Sequence, residues 1–364
     1  MSAVNPWPQT SCPIVAAPMA GGSSGVDLVV AVGDAGGLGM LAAGYKSAAE
    51  VLDQIASVRA RTEAGFGVNV FVPADESCAP ERVPSAEADT GVADAQGRER
   101  ADRVAVESYR ELLAVEAERR GVSLPAPDWQ DRDHYEDKID VLEAAALPCV
   151  SFTFGCPSGD VVDRLHAVGT SVAVTVTTTQ EAEGAVKRGA DALVVQGFEA
   201  GGHRSTHRVT DVPNELDHLA LLPMIAQAAP GVPLLAAGGI TTAGDTRRAL
   251  GAGAVAVVAG TAFLLADEAG TSAAHRMGLT NTRLSPCVTR AFSGRPARGL
   301  RNGFVDRFDA YAPAVFPVVD QLTKPLRAAA AREGDLDGVS LWAGAGWRAA
   351  REAPAADILA ALAP

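Results

Sequence analysis

The chain has 364 residues, of which 48% are hydrophobic and 21% are charged, so it is long enough to bury a large core and is not an intrinsically disordered protein. Its net charge of −13 argues against binding to nucleic acid or to anionic membrane surfaces. Five cysteines, none in C-x-x-C spacing, fit reduced thiols better than a disulfide framework or a zinc site.

The N-terminus and the hydropathy pattern indicate where the protein resides. Residues Met1 to Gln9 contain neither the basic region nor the apolar region of a signal peptide. No apolar run approaches the roughly 20 residues that a membrane helix requires. We therefore expect a cytoplasmic protein that does not enter a membrane. Because its Asp and Glu residues lack the spacing of metal ligands, we also expect that it binds no metal.

Short apolar runs alternate with amphipathic helical patterns along most of the chain. The predicted strands cover residues 14–19, 38–41, 66–72, 149–154, 172–177, 192–195, 233–237 and 254–258. Predicted helices lie between them, at about 24–35, 48–61, 135–146, 179–189, 214–229 and 242–250, with another before residue 168.

Strands that alternate with helices imply a parallel sheet with right-handed crossovers. Eight such units predict a (β/α)8 TIM barrel. The alternative is a doubly wound open sheet, which usually has fewer strands and carries its glycine fingerprint after the first strand. Here that position has only Met19-Ala20-Gly21-Gly22.

Two segments interrupt the alternation. Residues 73–135 read as a polar insertion with a helix at about 99–120, and residues 263–364 read as a helical extension or cap. The extension has helical patterns at about 262–278 and 315–333, separated by an Arg/Gly/Pro segment at 289–302. The barrel would then comprise residues 1–72 and 136–262, and the extension could supply the interface of a homodimer.

The sixth strand ends in a glycine-rich loop that finishes at His203. Gly201 and Gly202 carry no Cβ, so a flat ligand or a phosphate could approach the main chain there. An imidazole just beyond could exchange a proton near neutral pH. The alternative is an ordinary turn followed by a surface histidine. Arg204, His207 and Arg208 could contact an anionic substrate, but we expect them to lie in a solvated loop.

Other strand ends carry groups suited to a phosphate and a hydrogen-bonding ring. Gly238-Gly239 follows the seventh strand, and Ala259-Gly260-Thr261 follows the eighth, which matches the recurrent phosphate site of barrels. Thr261 could add a hydroxyl or cap the next helix. The amide side chains of Asn69 and Gln196 are expected nearer the centre of the barrel. A ligand with a phosphate tail and a hydrogen-bonding ring would fit these groups, and FMN is such a ligand. The alternative is that the glycines only form the turns at which helices start.

Several motifs together resemble the nitronate monooxygenase family, formerly called 2-nitropropane dioxygenases. The likeness runs from about Pro13 to Asn302. The motifs that resemble the family are residues 17–22 (APMAGG), 36–39 (GGLG), 66–72 (FGVNVFV), 150–155 (VSFTFG), 196–203 (QGFEAGGH), 237–240 (AGGI), 260–261 (GT) and 289–296 (TRAFSGRP).

The resemblance implies FMN held noncovalently at the top of the barrel, with His203 as the catalytic histidine. The implied flavin-binding residues are Ala17, Pro18, Met19, Asn69, Thr175, Gln196, Gly201 and Gly202, with Gly238, Gly239, Ala259, Gly260 and Thr261 at the phosphate.

The expected activity is oxidation of a nitronate or nitroalkane by dioxygen to a carbonyl compound and nitrite. The first alternative is an NAD(P)H-dependent FMN reductase on the same scaffold, acting on an enoyl thioester or a quinone. The second is a flavin-binding protein without catalytic activity.

Overall fold

A computed structural model describes residues 7–8, 10–74, 91–281 and 283–364; for 91–96 it describes the main chain only. The described residues therefore exclude most of Met1–Gln9 and positions 75–90 of the predicted insertion, which contain Cys78. The described residues divide into a barrel unit, within Met1–Ala79, Arg132–Ser272 and Ala343–Pro364, and a helical unit, within Pro80–Asp131 and Ala273–Trp342.

The barrel unit contains a parallel eight-stranded sheet with the order β1-β8-β7-β6-β5-β4-β3-β2. A parallel bridge between Val15 and Leu38 joins its two edges, so the sheet forms a TIM barrel, as predicted. The strands are β1 (Ile14–Ala16), β2 (Gly39–Ala42), β3 (Phe66–Phe71), β4 (Cys149–Thr153), β5 (Ser171–Val176), β6 (Ala192–Gln196), β7 (Leu234–Ala237) and β8 (Ala256–Ala259).

Among the described residues, eight helices surround these strands: α1 (Val26–Asp34), α2 (Ala48–Arg59), α4 (Tyr135–Ala145), α5 (Gly159–Ala167), α6 (Thr179–Lys187), α7 (His218–Ala228), α8 (Ala243–Gly251) and α12 (Ala355–Leu362). Local sequence sets several of their starts, because Ser47, Thr178 and Thr242 each form a capping box with the residue three positions later. The eighth barrel helix is α12, which packs beside α1 and α8. Residues 343–364, assigned from sequence to the extension, thus group with the barrel.

Strand alternation divides the barrel core into two layers. Cys149, Ala173 and Leu235 belong to an inner cluster enclosed by the strands. Val150 and Phe152 belong to the outer cluster between strands and helices. Because the interior is filled with side chains, a ligand has room only at the rim of the barrel.

The helical unit contains α3 (Gly91–Arg119), α9 (Ala273–Thr280), α10 (Gly303–Phe308) and α11 (Val318–Glu333). Residues of α3, α10 and α11 form an apolar cluster of their own. The helical unit also contains an antiparallel hairpin of β9 (Pro286–Thr289) and β10 (Ala297–Leu300), where the sequence predicted only a connecting segment. Short, partly exposed strands give a weak alternation signal, which explains the omission. In the described part of the chain, no helix is both long enough and apolar enough to cross a membrane.

Candidate active site at the C-terminal rim of the barrel

The loop after β6 is anchored by the side chain of Gln196. Its Nε2 donates hydrogen bonds to the His203 carbonyl oxygen at 3.2 Å and to Ser205 Oγ at 2.9 Å, and its Oε1 accepts from Ser205 N at 3.0 Å. The side chain is buried, so these bonds are shielded from water. Gln196 therefore fixes the main chain on which the His203 imidazole stands.

A second set of contacts holds the next residues of this loop. Glu181 Oε1 accepts from His207 N at 2.9 Å, and His207 Nε2 lies 3.1 Å from the Thr175 carbonyl oxygen. Arg204 donates from Nη1 to the Gly197 carbonyl oxygen at 2.5 Å. Arg204 and His207 are each only 2% exposed, so the prediction of a solvated loop was wrong for both. The partners of His207 lie on distant parts of the chain, at Glu181 and Thr175, which spacing does not reveal.

Aromatic rings line the rim beside His203. The Phe154 ring, just after β4, meets the imidazole edge to face, with centroids 5.5 Å apart and an interplanar angle of 89°. Phe71, at the end of β3, lies 4.6 Å from Phe154, and Tyr45 lies 5.4 Å from Phe71. We call Tyr45, Phe71 and Phe154 the aromatic row. It gives the imidazole an apolar flank along one side.

The same loop contacts the glycines that follow β7. Gly238 has φ +108° and Gly239 has φ +70°, a region that favours glycine. A Cβ on Gly238 would come within 3.0 Å of Ala200 N, and one on Gly239 within 3.3 Å of Glu199 Cβ. Both glycines are thus required by backbone angle and by close packing, and they lie against the loop that ends at His203.

The ends of β7 and β8 present main-chain donors suited to an anion. The N–H groups of Gly239, Gly260 and Thr261 donate no hydrogen bond to any acceptor in the described part of the chain. β7 and β8 are adjacent in the sheet, so these donors share one edge. Unused N–H groups on glycine-containing turns are the usual ligands of a phosphate, and the residues present therefore fit a flavin phosphate.

Ala17, Pro18 and Met19 follow β1 directly and lie beside this edge. Ser24 Oγ donates to the Ala17 carbonyl oxygen and accepts from Met19 N, both at 2.8 Å. A Cβ on Gly260 would come within 3.3 Å of the Ala17 side chain. Ala17 N also donates to the Ala259 carbonyl oxygen at 2.9 Å. The structure thus brings the first strand end against the predicted phosphate glycines.

A polar chain crosses the barrel mouth from β3 to β5. Asn69 Nδ2 donates to Ser151 O at 3.1 Å, Ser151 Oγ at 2.9 Å and Thr153 Oγ1 at 3.0 Å. Thr153 Oγ1 lies 3.4 Å from Thr175 Oγ1. A carbonyl oxygen only accepts, so Nδ2 is the donor toward Ser151 and the orientation of the Asn69 amide is determined. Cys149 lies on β4, two residues before Ser151. Its burial raises the pKa of the thiol to about 12, which keeps the thiol protonated.

A segment near the C-terminus, Ala343–Ala345, covers part of the rim. Gly344 N donates to Thr261 Oγ1 and Ala345 N donates to the Glu199 carbonyl oxygen, both at 2.9 Å. A Cβ on Gly201 would lie 2.5 Å from Gly344 N. Thr261 begins a short 3₁₀ turn and does not cap it; its hydroxyl holds this segment instead. Gly202, in contrast, has φ +75° and open space where a Cβ would stand.

Comparisons with known proteins place the chain in a family. The profile of the family described as Nitronate monooxygenase matches residues 9–364. The chain belongs to the nitronate monooxygenase family. Members of this family are flavoenzymes, so the chain is a flavin-dependent oxidoreductase.

Individual relatives match over nearly their whole length. The chain is 32% identical to a probable nitronate monooxygenase of Staphylococcus aureus strain Newman over 352 residues, covering 95% of this chain and 92% of the relative. It is similar to the crystal structure of nitroalkane oxidase from Streptomyces ansochromogenes, with 43% identity, a TM-score of 0.86 and coverage of 97% and 95%. The structure of FabK from Thermotoga maritima shares the fold, with 23% identity, a TM-score of 0.70 and coverage of 97% and 92%.

Sequence reasoning missed four features of this nitronate monooxygenase-family rim. They are the anchors Ser24 and Glu181, the aromatic ring of Phe154 and the covering segment Ala343–Ala345. A glutamate three residues after Thr178 signalled a capping box, but not the bond from Glu181 to the His207 loop. The Gly344-Ala345-Gly346 run was a visible turn signal, and only its partner was unknown.

Proposed function

We propose that this chain is an FMN-dependent nitronate monooxygenase that converts nitronates, or the parent nitroalkanes, to a carbonyl compound and nitrite with dioxygen. The observation that carries the proposal is the course of the loop 197–203. It packs on Gly238 and Gly239 at one end and places His203 against Phe154 at the other. One loop therefore connects the phosphate donors to a candidate base.

The proposed flavin contacts follow from the rim. Gly239, Gly260 and Thr261 would hold the phosphate through main-chain N–H groups, and Gly238 and Ala259 would shape that turn. Ala17, Pro18, Met19 and Asn69 would border the flavin, with Thr175 and Gln196 supporting the polar side of the mouth. Gly201 and Gly202 would allow close approach of the ring. FMN, when bound, would supply the electron transfer and the reaction with oxygen.

His203 would remove the α-proton of a neutral nitroalkane. The imidazole is the only side chain whose ordinary pKa lies close to neutral pH, which suits a general base there. Gln196 holds the His203 main chain and Phe154 contacts the ring, so the base is oriented before substrate arrives. Phe71 and Tyr45, which are only partly buried, would receive the alkyl group of the substrate.

The first experiment identifies the cofactor and the reductant. The purified protein is expected to show flavin absorbance and to release FMN on denaturation. Anaerobic mixing with a nitronate is expected to bleach that absorbance, and admission of oxygen to restore it. Bleaching by NADH but not by a nitronate would move the assignment to the NAD(P)H-dependent reductases. A colourless protein that binds no FMN would remove the proposal.

The second experiment tests the base with a matched histidine control. His203→Asn should lower turnover of a neutral nitroalkane by about 10²-fold or more, the usual range for a positioned general base, and should spare a preformed nitronate. His166→Asn changes a histidine paired with Asp191 at 2.7 Å near the start of β6, far from the rim, and should leave both rates unchanged. Equal rates for His203→Asn and the wild type on both substrates would exclude His203 as the base.

A further inference from the structure

Phe154 has a backbone conformation that a bulky residue rarely adopts. Its φ is +73°, in the left-handed region that favours glycine. Tyr45, at the other end of the aromatic row, has φ +67°. Strained residues of this kind persist where the surrounding structure over-determines them, and they cluster at functional sites. The strain at Phe154 therefore calls for a physical reason.

The strand before Phe154 shows what the strain changes. Ser151 and Thr153 face the barrel mouth, where both bond Asn69, whereas Val150 and Phe152 pack in the outer core. Alternation along an extended strand would send the next ring outward, in line with Phe152. The positive φ breaks the alternation, and the Phe154 ring lies against His203 instead.

The contacts of the redirected ring restrict the imidazole. Phe154 is 2% exposed and is supported from behind by Phe71, whose own ring occupies the space left by Gly44. A Cβ on Gly44 would come within 2.3 Å of the Phe71 ring. The edge-to-face geometry of Phe154 and His203 favours one ring orientation over rotation about the side-chain bonds. Gln196 fixes the main chain of His203 and Phe154 fixes its ring.

We propose that Phe154 is a positioning residue for His203, holding the imidazole in the orientation that accepts a proton from the neutral nitroalkane. This inference rests on the proposed function of His203 as the base. A nitronate has already lost that proton, so its oxidation does not need an oriented base. Loss of the Phe154 ring should therefore affect the two substrate forms unequally.

The test compares Phe154→Leu and Phe154→Gly with Phe152→Leu in the flavin-loaded enzyme. Leu removes the aromatic ring but keeps an apolar side chain, and Gly removes the ring while also relieving the positive φ. Phe152→Leu is the matched control, since it changes the same residue type two positions earlier in the outer core. Both Phe154 variants should lower kcat/KM for the nitroalkane by about 10-fold or more, because small misplacements of catalytic groups are costly, and should change the nitronate value less than about two-fold.

Nuclear magnetic resonance provides a readout besides activity. The His203 ring signals, assigned by their loss in His203→Asn, should carry a ring-current shift that disappears in both Phe154 variants and persists in Phe152→Leu. An unchanged His203 shift in Phe154→Leu, or an equal loss of both rates, would overturn the inference. If the wild type oxidises neither substrate form, the proposed function fails, and the ring-current comparison alone decides whether Phe154 holds the imidazole.

Discussion

Replacing Gln196 with Leu tests whether this side chain anchors the catalytic loop or mainly contacts the flavin. The substitution removes the bonds to His203 O, Ser205 Oγ and Ser205 N, at 3.2, 2.9 and 3.0 Å. Each such bond contributes about 0.5–1.5 kcal/mol, and leaving the buried Ser205 N–H without a partner costs about 1–3 kcal/mol. Burial of the Leu side chain offsets part of this. We expect the free energy of unfolding to fall by about 2–4 kcal/mol.

The assay for this prediction combines unfolding with substrate kinetics. Gln196→Leu should unfold at lower temperature and lose turnover of the neutral nitroalkane by about 10-fold or more, since His203 loses its main-chain support. Gln196→Glu retains an acceptor for Ser205 N, so its unfolding temperature and nitroalkane turnover should lie between those of the wild type and Gln196→Leu. Gln180→Leu, on an exposed position of α6, should change stability by less than about 0.5 kcal/mol.

One result would refute the anchoring role of Gln196. If Gln196→Leu unfolds like the wild type but binds flavin much more weakly, the side chain acts on the cofactor and not on the loop. Unchanged stability, flavin content and turnover together would leave Gln196 with neither role.

Three further predictions follow from the rim and from the helical unit. Gly201→Ala would place a Cβ 2.5 Å from Gly344 N, so it should lower the free energy of unfolding by about 1–3 kcal/mol in a thermal melt and weaken flavin binding. Gly251→Ala, in open space on α8, should change neither quantity. Thr261→Val removes the acceptor for Gly344 N and should cost about 1 kcal/mol, with Thr261→Ser restoring it; identical melts for Val and Ser would contradict this. Burial lowers the pKa of His275 from 6.5 to about 4. The unfolded chain therefore binds a proton that the folded chain does not, and stability should fall by about 3 kcal/mol as pH drops from 6.5 to 4, a slope that His275→Gln should reduce.

The sequence was sufficient to predict the barrel because its signals are local. Each strand is a short apolar run that ends at glycine or a polar residue, and side chains such as Ser47 and Thr178 mark where helices begin. Eight repeats of that pattern leave few alternatives to a closed parallel barrel. The order of strands and the rim position of His203 follow from this repetition, because functional groups collect at the carboxyl ends of barrel strands.

The tertiary structure decided the features that depend on distant partners. The hairpin at 286–300 and the return of residues 355–362 as the eighth barrel helix depend on contacts that no local window contains. The burial of His207 depends on Glu181 and Thr175, which lie on distant parts of the chain. Hydrogen-bond partners and burial are set by which segments meet, whereas hydrophobic periodicity reports only which face of each segment is apolar.

Phe154 shows the same division within a single residue. Periodicity along β4 points its ring toward the outer core with Phe152, yet one backbone angle of +73° turns it onto His203. That angle is unfavourable for phenylalanine considered locally, so it exists only because packing across the rim compensates for its cost. Local sequence determined which strand ends would carry the chemistry, and long-range packing decided which side chains hold it in place.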